Sequence, residues 1–252
     1  MVAAALLLGL VVGSFLNVVI ARLPEQRSLI RPRSACPACG AAIAWHDNIP
    51  VLSFVLLRAR CRACGIRISW RYPLVEITTG LLFAAVAATS GLSVDFAIAA
   101  SFLAALVAIT FIDLDHQIIP NAISYPGIVA GLLASLLSTR VGWLDSVLGV
   151  LVGGGIFLLI AEGSLRIMGQ EGMGGGDVKL GAMLGAFLGW KAMLFTILLS
   201  VVGGGLVAAA LIASGLKSRK DPIPFGPFLA VAGAIGFFWG EQAVRWYLTV
   251  FV

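Results

Sequence analysis

Eight apolar runs, each short of charge and most close to the length at which a helix crosses a bilayer core, set the limits on this chain. They lie near residues 1–21, 77–94, 96–112, 122–139, 146–165, 178–190, 192–216 and 224–248. The sixth is short and interrupted by glycine, and Lys179 in its first turn is long enough to snorkel to the interface. The first run lacks the basic start of a signal peptide. Arg22 follows it directly where a small-residue cleavage site would stand, so it reads as a permanent span. With 60% hydrophobic and 12% charged residues and a mean hydropathy of +1.04, the composition excludes disorder, collagen and a water-soluble α/β enzyme. Thirty glycines within apolar segments suit close helix packing in lipid. The expected fold is an all-α polytopic membrane protein of about eight transmembrane helices.

The net charge of +5 is unevenly spread: nine of the seventeen Lys and Arg fall between Arg22 and Arg71, the one long segment with no spanning run. With that segment on the cytoplasmic side, Arg166, Lys179, Lys217, Arg219 and Lys220 join it there, and only Arg140, Lys191 and Arg245 face outward. The positive-inside rule selects this orientation, with both termini outside. The organisation read from these patterns is a first transmembrane helix (1–21), a cytoplasmic four-cysteine insert (22–76) and a seven-helix transmembrane region (77–252). No fixed-period repeat or low-complexity linker interrupts it. Within the insert Pro24, Pro50 and Pro73 favour turns and short strands over long helices.

All four cysteines lie in the insert, as Cys36-Pro-Ala-Cys39-Gly40 and Cys61-Arg-Ala-Cys64-Gly65, with 21 residues between the pairs. Two thiolates three positions apart reach one ion from a tight turn, and a glycine after the second lets the chain turn sharply. Two such turns make a tetrahedral site for zinc, in a zinc-ribbon-like insert. In the reducing cytosol, disulfides are the poorer reading. Four thiolates close the coordination shell, so the expected metal is structural: Cys36, Cys39, Cys61 and Cys64 fold a loop too small for a core of its own. The arginines do not call for nucleic acid, because a positive-inside membrane loop is basic anyway.

The informative carboxylates stand at the ends of spans. Asp113 and Asp115 close the third run, and Asp177 opens the sixth after Gly172-Met-Gly-Gly-Gly. The chosen orientation puts both places on the cytoplasmic side. Carboxylates that meet at membrane depth cannot both ionise easily and share a proton: one takes a proton from water while its protonated partner donates to a carbonyl, which is aspartic proteolysis. The glycines before Asp177 allow close approach of an extended substrate backbone. Solvation, an N-cap role for Asp177, and an ion or proton path are the competing readings of these residues. If the third helix runs past Ile112, Asp113 and Asp115 lie about 200° apart on it, and residue chemistry does not choose which faces Asp177. Asp47 and Glu76 read as partners in loop hydrogen bonds and salt bridges to neighbouring arginines, and Glu162 with Arg166 as an i,i+4 pair. His46 and His116 stand alone, and Lys179 reads as a neighbour that stabilises the Asp177 anion or meets lipid headgroups.

Together these segments resemble the bacterial prepilin peptidases, the bifunctional type IV leader peptidases and N-methyltransferases. The resemblance runs through Gly13-Ser-Phe-Leu-Asn17 to Pro24, the two cysteine pairs, Trp45-His-Asp47-Asn48-Ile-Pro50, Ile68-Ser-Trp-Arg71-Tyr-Pro73-Leu-Val-Glu76, the run from Asp113 to Pro120, Gly174-Gly-Gly-Asp177 and Ile223-Pro-Phe-Gly-Pro-Phe-Leu229. It implies a membrane aspartic peptidase of the GxGD type, with Gly174, Gly176 and Asp177 as that motif and Asp113 as the second catalytic aspartate. It also implies a bacterial inner-membrane enzyme with its active site on the cytoplasmic side. Such an enzyme removes the basic leader of a type IV prepilin or type II secretion pseudopilin and methylates the new N-terminus from S-adenosylmethionine. Ala59 departs from the pattern, which has glycine there. No Gly-rich dinucleotide-type signature appears, so S-adenosylmethionine residues are unassigned. The alternatives are a presenilin-like protease cutting inside the substrate helix, a carboxylate-dependent ion transporter and a non-catalytic pilus scaffold. Prepilin and lipid are the expected partners, and the sequence sets no oligomeric state.

Overall fold

The structure is a computed structural model that describes residues 1–169, 172–218 and 221–251. Arg219 and Lys220, counted above with the inner charges, lie outside the described residues. Among the described residues the chain is helical, and six helices are long and apolar enough to cross a membrane. By contacts it divides within its fourth helix into two compact units, Met1–Ala108 and Ile109–Val252.

In the first unit α1 (Val2–Arg22) and α3 (Arg71–Ser90) lie antiparallel. Glycine lets their backbones nearly touch: a Cβ on Gly9 would lie 2.7 Å from the Gly80 Cα, and one on Gly13 2.7 Å from the Glu76 Cα. Lipid offers no hydrophobic drive for helix pairing, so small residues that permit backbone contact take its place. α3 begins six residues before the expected span, at Arg71, because Pro73 falls in its first turn, where its missing N–H costs no helical bond. The insert between them holds a short 3₁₀ turn (Trp45–Asn48), the five-residue α2 (Leu52–Leu56) and two isolated antiparallel bridges, Ala35 with Ala42 and Arg60 with Arg67. Too short for ladders, its strand-like pieces pair at single positions around the cysteine turns.

α4 (Val94–His116) outlasts its expected end at Ile112 by one turn, carrying Asp113 and Asp115 as helical residues. The second unit continues with α5 (Asn121–Ala134), α6 (Trp143–Met168), α7 (Gly175–Ala213) and α8 (Gly226–Phe251). The expected sixth and seventh spans are both inside α7, separated at Gly189, whose φ of 71° and ψ of 167° are not helical. The chain turns back there. Gly176 approaches Ile119, Ile119 approaches Gly226, and two residues on Phe228 meets Gly204. An unbroken helix would hold Gly176 and Gly204 about 42 Å apart. Only glycine adopts this conformation without strain, so the reversal falls one residue ahead of Trp190.

The short first half of α7 is the centre of this unit, and Leu180–Gly189 is almost wholly buried. α6 runs against it through Gly149 with Gly185 and Gly153 with Gly181, so close that no side chain fits, and the Ser146 hydroxyl donates to the Ala186 carbonyl at 2.6 Å. α5 covers another side, where a Cβ on Gly131 would lie 2.6 Å from that of Ala186. Glycine interruptions that weaken the sixth run as a hydropathy signal are thus what let it be enclosed.

Candidate active site and thiolate cluster

The last turn of α4, the first turn of α7 and the start of α8 converge on one cavity of about 700 Å³. Asp113 and Asp177 both line it, with Ile119, Asn121 and Lys179 and the extended Pro222–Phe225 segment that leads into α8. Asp113 is only 5% exposed. Ile119 is wedged between two glycines: a Cβ on Gly176 would lie 3.1 Å from its Cβ, and one on Gly226 3.3 Å from its Cδ1. Asp177 is the third residue of α7, and the N-cap is Gly174, so the N-cap reading of Asp177 does not hold. The Asp113 carboxylate is near enough to act electrostatically on Asp177.

Asp115 and His116 are exposed and outside the cavity lining, as the helical continuation of α4 requires when Asp113 faces inward. Lys179 donates from its ammonium to the Asn121 Oδ1 at 2.5 Å and lies over the Tyr125 ring, both on α5. Glu162 and Arg166 pair at 3.3 Å on the surface of α6.

In the insert the sulfurs of Cys36, Cys39, Cys61 and Cys64 all lie within 4.8 Å of one another. Those of Cys36 and Cys64 are 3.8 Å apart, close to the spacing of about 3.8 Å that tetrahedral Zn–S bonds of about 2.3 Å require. The two turns are built alike. Cys36 N–H donates to Ala41 and Gly40 N–H to Cys36, as Cys61 does to Ile66 and Gly65 to Cys61, and both glycines sit at φ 71°. The amides of Cys39 and Ala38 hold the Cys36 thiol down at about 6, ready to give up its proton to a cation. Asp47 ties the 3₁₀ turn to the second cysteine turn, since Arg62 grips both its oxygens at 2.7 and 2.6 Å and holds its carboxyl below the usual range. Glu76, 8% exposed, accepts from the Val51 N–H at 2.8 Å and so fastens the insert to α3.

Residues 7–90 match the bacterial peptidase A24 N-terminal domain, and residues 98–209 match the type IV leader peptidase family. The prepilin leader peptidase/N-methyltransferase of Aeromonas hydrophila is 42% identical over 270 residues, covering 98% of this chain and 93% of that protein. The chain belongs to the type IV leader peptidase family. Proteins of the same name from Pseudomonas aeruginosa (37% identical, 98% of this chain and 93% of that protein) and Myxococcus xanthus (45%, 82% and 62%) are also similar. No solved structure matches.

For this leader peptidase the departure at Ala59 has a structural meaning. Ala59 holds φ 56° beside Arg58 at φ 52°, a left-handed pair in which glycine is at ease and alanine is strained. Ala59→Gly is expected to raise the stability of the insert by about 1 kcal/mol. Denaturant titration of the insert, followed by Trp45 and Trp70 fluorescence, reads the change, and an unchanged or lower midpoint counts against strain there. Reading the residues as chemistry passed over Ile119, Asn121 and Gly226, which carry no catalytic group. The one signal at hand was the Pro222-Ile-Pro-Phe-Gly226 run, whose prolines announce an extended segment.

Proposed function

We propose that this chain is a prepilin leader peptidase and N-methyltransferase, with Asp113 and Asp177 as its catalytic pair. One observation carries the reading: in a member of this family, two carboxylates far apart in sequence open at helix ends into one cavity. A scissile carbonyl held there meets a water between the carboxylates. The ionised aspartate takes the water's proton, the protonated one donates to the carbonyl oxygen, and the water oxygen bonds to carbon. The tetrahedral intermediate then breaks its C–N bond: the departing amine takes the proton that the first aspartate received from water, and one hydroxyl returns its proton to the second as the carboxyl forms. Isolating this chemistry at the edge of the bundle suits an extended joint, because a helix would first have to unwind.

The basic insert and the cavity are assigned to the cytoplasmic face of the bacterial inner membrane by the same excess of Lys and Arg that orients the spans. A basic leader stays on that side while the apolar pilin helix lies along the peptidase. The insert, residues 22–76, is the zinc module: Cys36, Cys39, Cys61 and Cys64 hold a structural ion that supplies folding energy and leaves no site for water. S-adenosylmethionine is the methyl donor by class. Among the described residues there is no strand-and-helix unit of dinucleotide-binding type, so a donor site of that type does not fit this fold.

Incubating the purified protein with a full-length prepilin and S-adenosylmethionine, and weighing the product, tests the whole reading. The expected product has lost its leader and gained a methyl group on the new amine. An unchanged prepilin sinks the proposal, and efficient cutting several residues inside the apolar helix replaces it with the presenilin-like reading.

A further inference from the structure

We propose that Gly226 is a positioning residue for Asp113: the bare Cα at the start of α8 leaves the space in which the Asp113 carboxylate occupies the cavity wall. This inference rests on the catalytic pair proposed above.

Asp113 is buried and its carboxylate has little freedom, so what borders it decides where it points. A Cβ on Gly226 would lie 2.6 Å from the Asp113 Oδ2 and 3.0 Å from its Cγ, distances that real side chains do not tolerate. On the other flank the same Cβ would meet the Ile119 Cδ1 at 3.3 Å, and Ile119 is itself held against Gly176. The carboxylate would have to swing away or α8 would have to retreat. Nothing in the backbone asks for glycine there, because Gly226 is not among the residues with positive φ and alanine is the better helix former. The demand comes from the neighbour. The segment is also fixed in place: Phe225 stacks edge-on to Phe157 with ring centres 5.9 Å apart, and its carbonyl accepts from the Leu229 N–H in the first turn of α8. The space is supplied by a residue more than a hundred positions from the group it serves.

The test is Gly226→Ala in the full chain, assayed on a prepilin with Gly205→Ala as control, since a Cβ at Gly205 meets nothing within 4 Å. A reacting group displaced by about 1 Å costs on the order of 100-fold. The expected result for Gly226→Ala is a kcat lower by about that factor, KM within about threefold and a displaced pH–rate profile, with the control unchanged. Wild-type kcat and pH profile in Gly226→Ala overturn the inference. A thermal-unfolding cycle tests it independently of activity and of any folding defect in the single variant. Asp113→Ala removes the atoms at 2.6 and 3.0 Å, so adding Gly226→Ala to it is expected to cost far less stability than adding it to the wild type. Equal cost in both backgrounds overturns the inference. If Asp113→Asn is inactive while Gly226→Ala is normal, this inference alone falls; if Asp113→Asn cleaves normally, the catalytic pair falls first.

Discussion

Asp113→Asn and Asp177→Asn are each expected to lower leader removal by at least about 10³-fold, in protein that still folds. Asparagine keeps the shape of the side chain, so the fit of residue 113 beside Gly226 survives in the first case, and the start of α7 is undisturbed in the second. What the proposed pair would lose is the proton it passes between water, carbonyl and leaving amine. Asp115→Asn keeps substantial activity, because Asp115 is exposed and does not line the cavity. Mass analysis of prepilin after timed incubation reads all three variants. Normal cleavage by Asp113→Asn, with loss in Asp115→Asn, would move the chemistry to the other face of α4.

Removing the metal proposed for the four thiols, or one of its ligands, is expected to have the second largest effect and to leave the helix bundle alone. Structural zinc in peptides of this kind is worth about 10–16 kcal/mol at neutral pH. An insert with one five-residue helix, one 3₁₀ turn and two single bridges has little else to hold it. The purified protein is expected to contain one zinc per chain by elemental analysis, and Cys39→Ser or Cys64→Ser to contain almost none. In those variants, and after chelation, trypsin is expected to cut at Arg33, Arg60 and Arg67 while α1 and α3 stay paired through Gly9 and Gly13, which touch no thiol. Metal-free protein with four freely alkylated thiols and an unchanged digestion pattern would remove the zinc from the account.

Much of this molecule is legible in its sequence, and the reason is solvation. A span must be apolar along its whole length and a loop must carry the charge, so the long helices stand out from hydropathy alone, although α3 begins six residues early, α4 runs a turn longer and α7 reads as two spans, while the short α2 in the insert does not show. The cysteine cluster is legible for a similar reason: each turn brings its two thiols together within four residues, and only the meeting of the two turns is left to folding. The fine structure of α7 is less so, because a glycine that reverses the chain and a glycine that admits a neighbouring helix look the same in a row of letters. Gly189 does the first and Gly185 the second.

The membrane class, the basic insert with its paired thiols and a short set of carboxylates at span ends can be read along the chain, since each depends on residues close together in it. That Asp113, rather than Asp115, shares a cavity with Asp177, and that Gly226 stands against it, emerges from folding. Those relations join residues far apart along the chain and depend on how α4, α7 and α8 pack. Packing is set by the fit of whole helix surfaces, where one missing methyl decides how near two backbones can come.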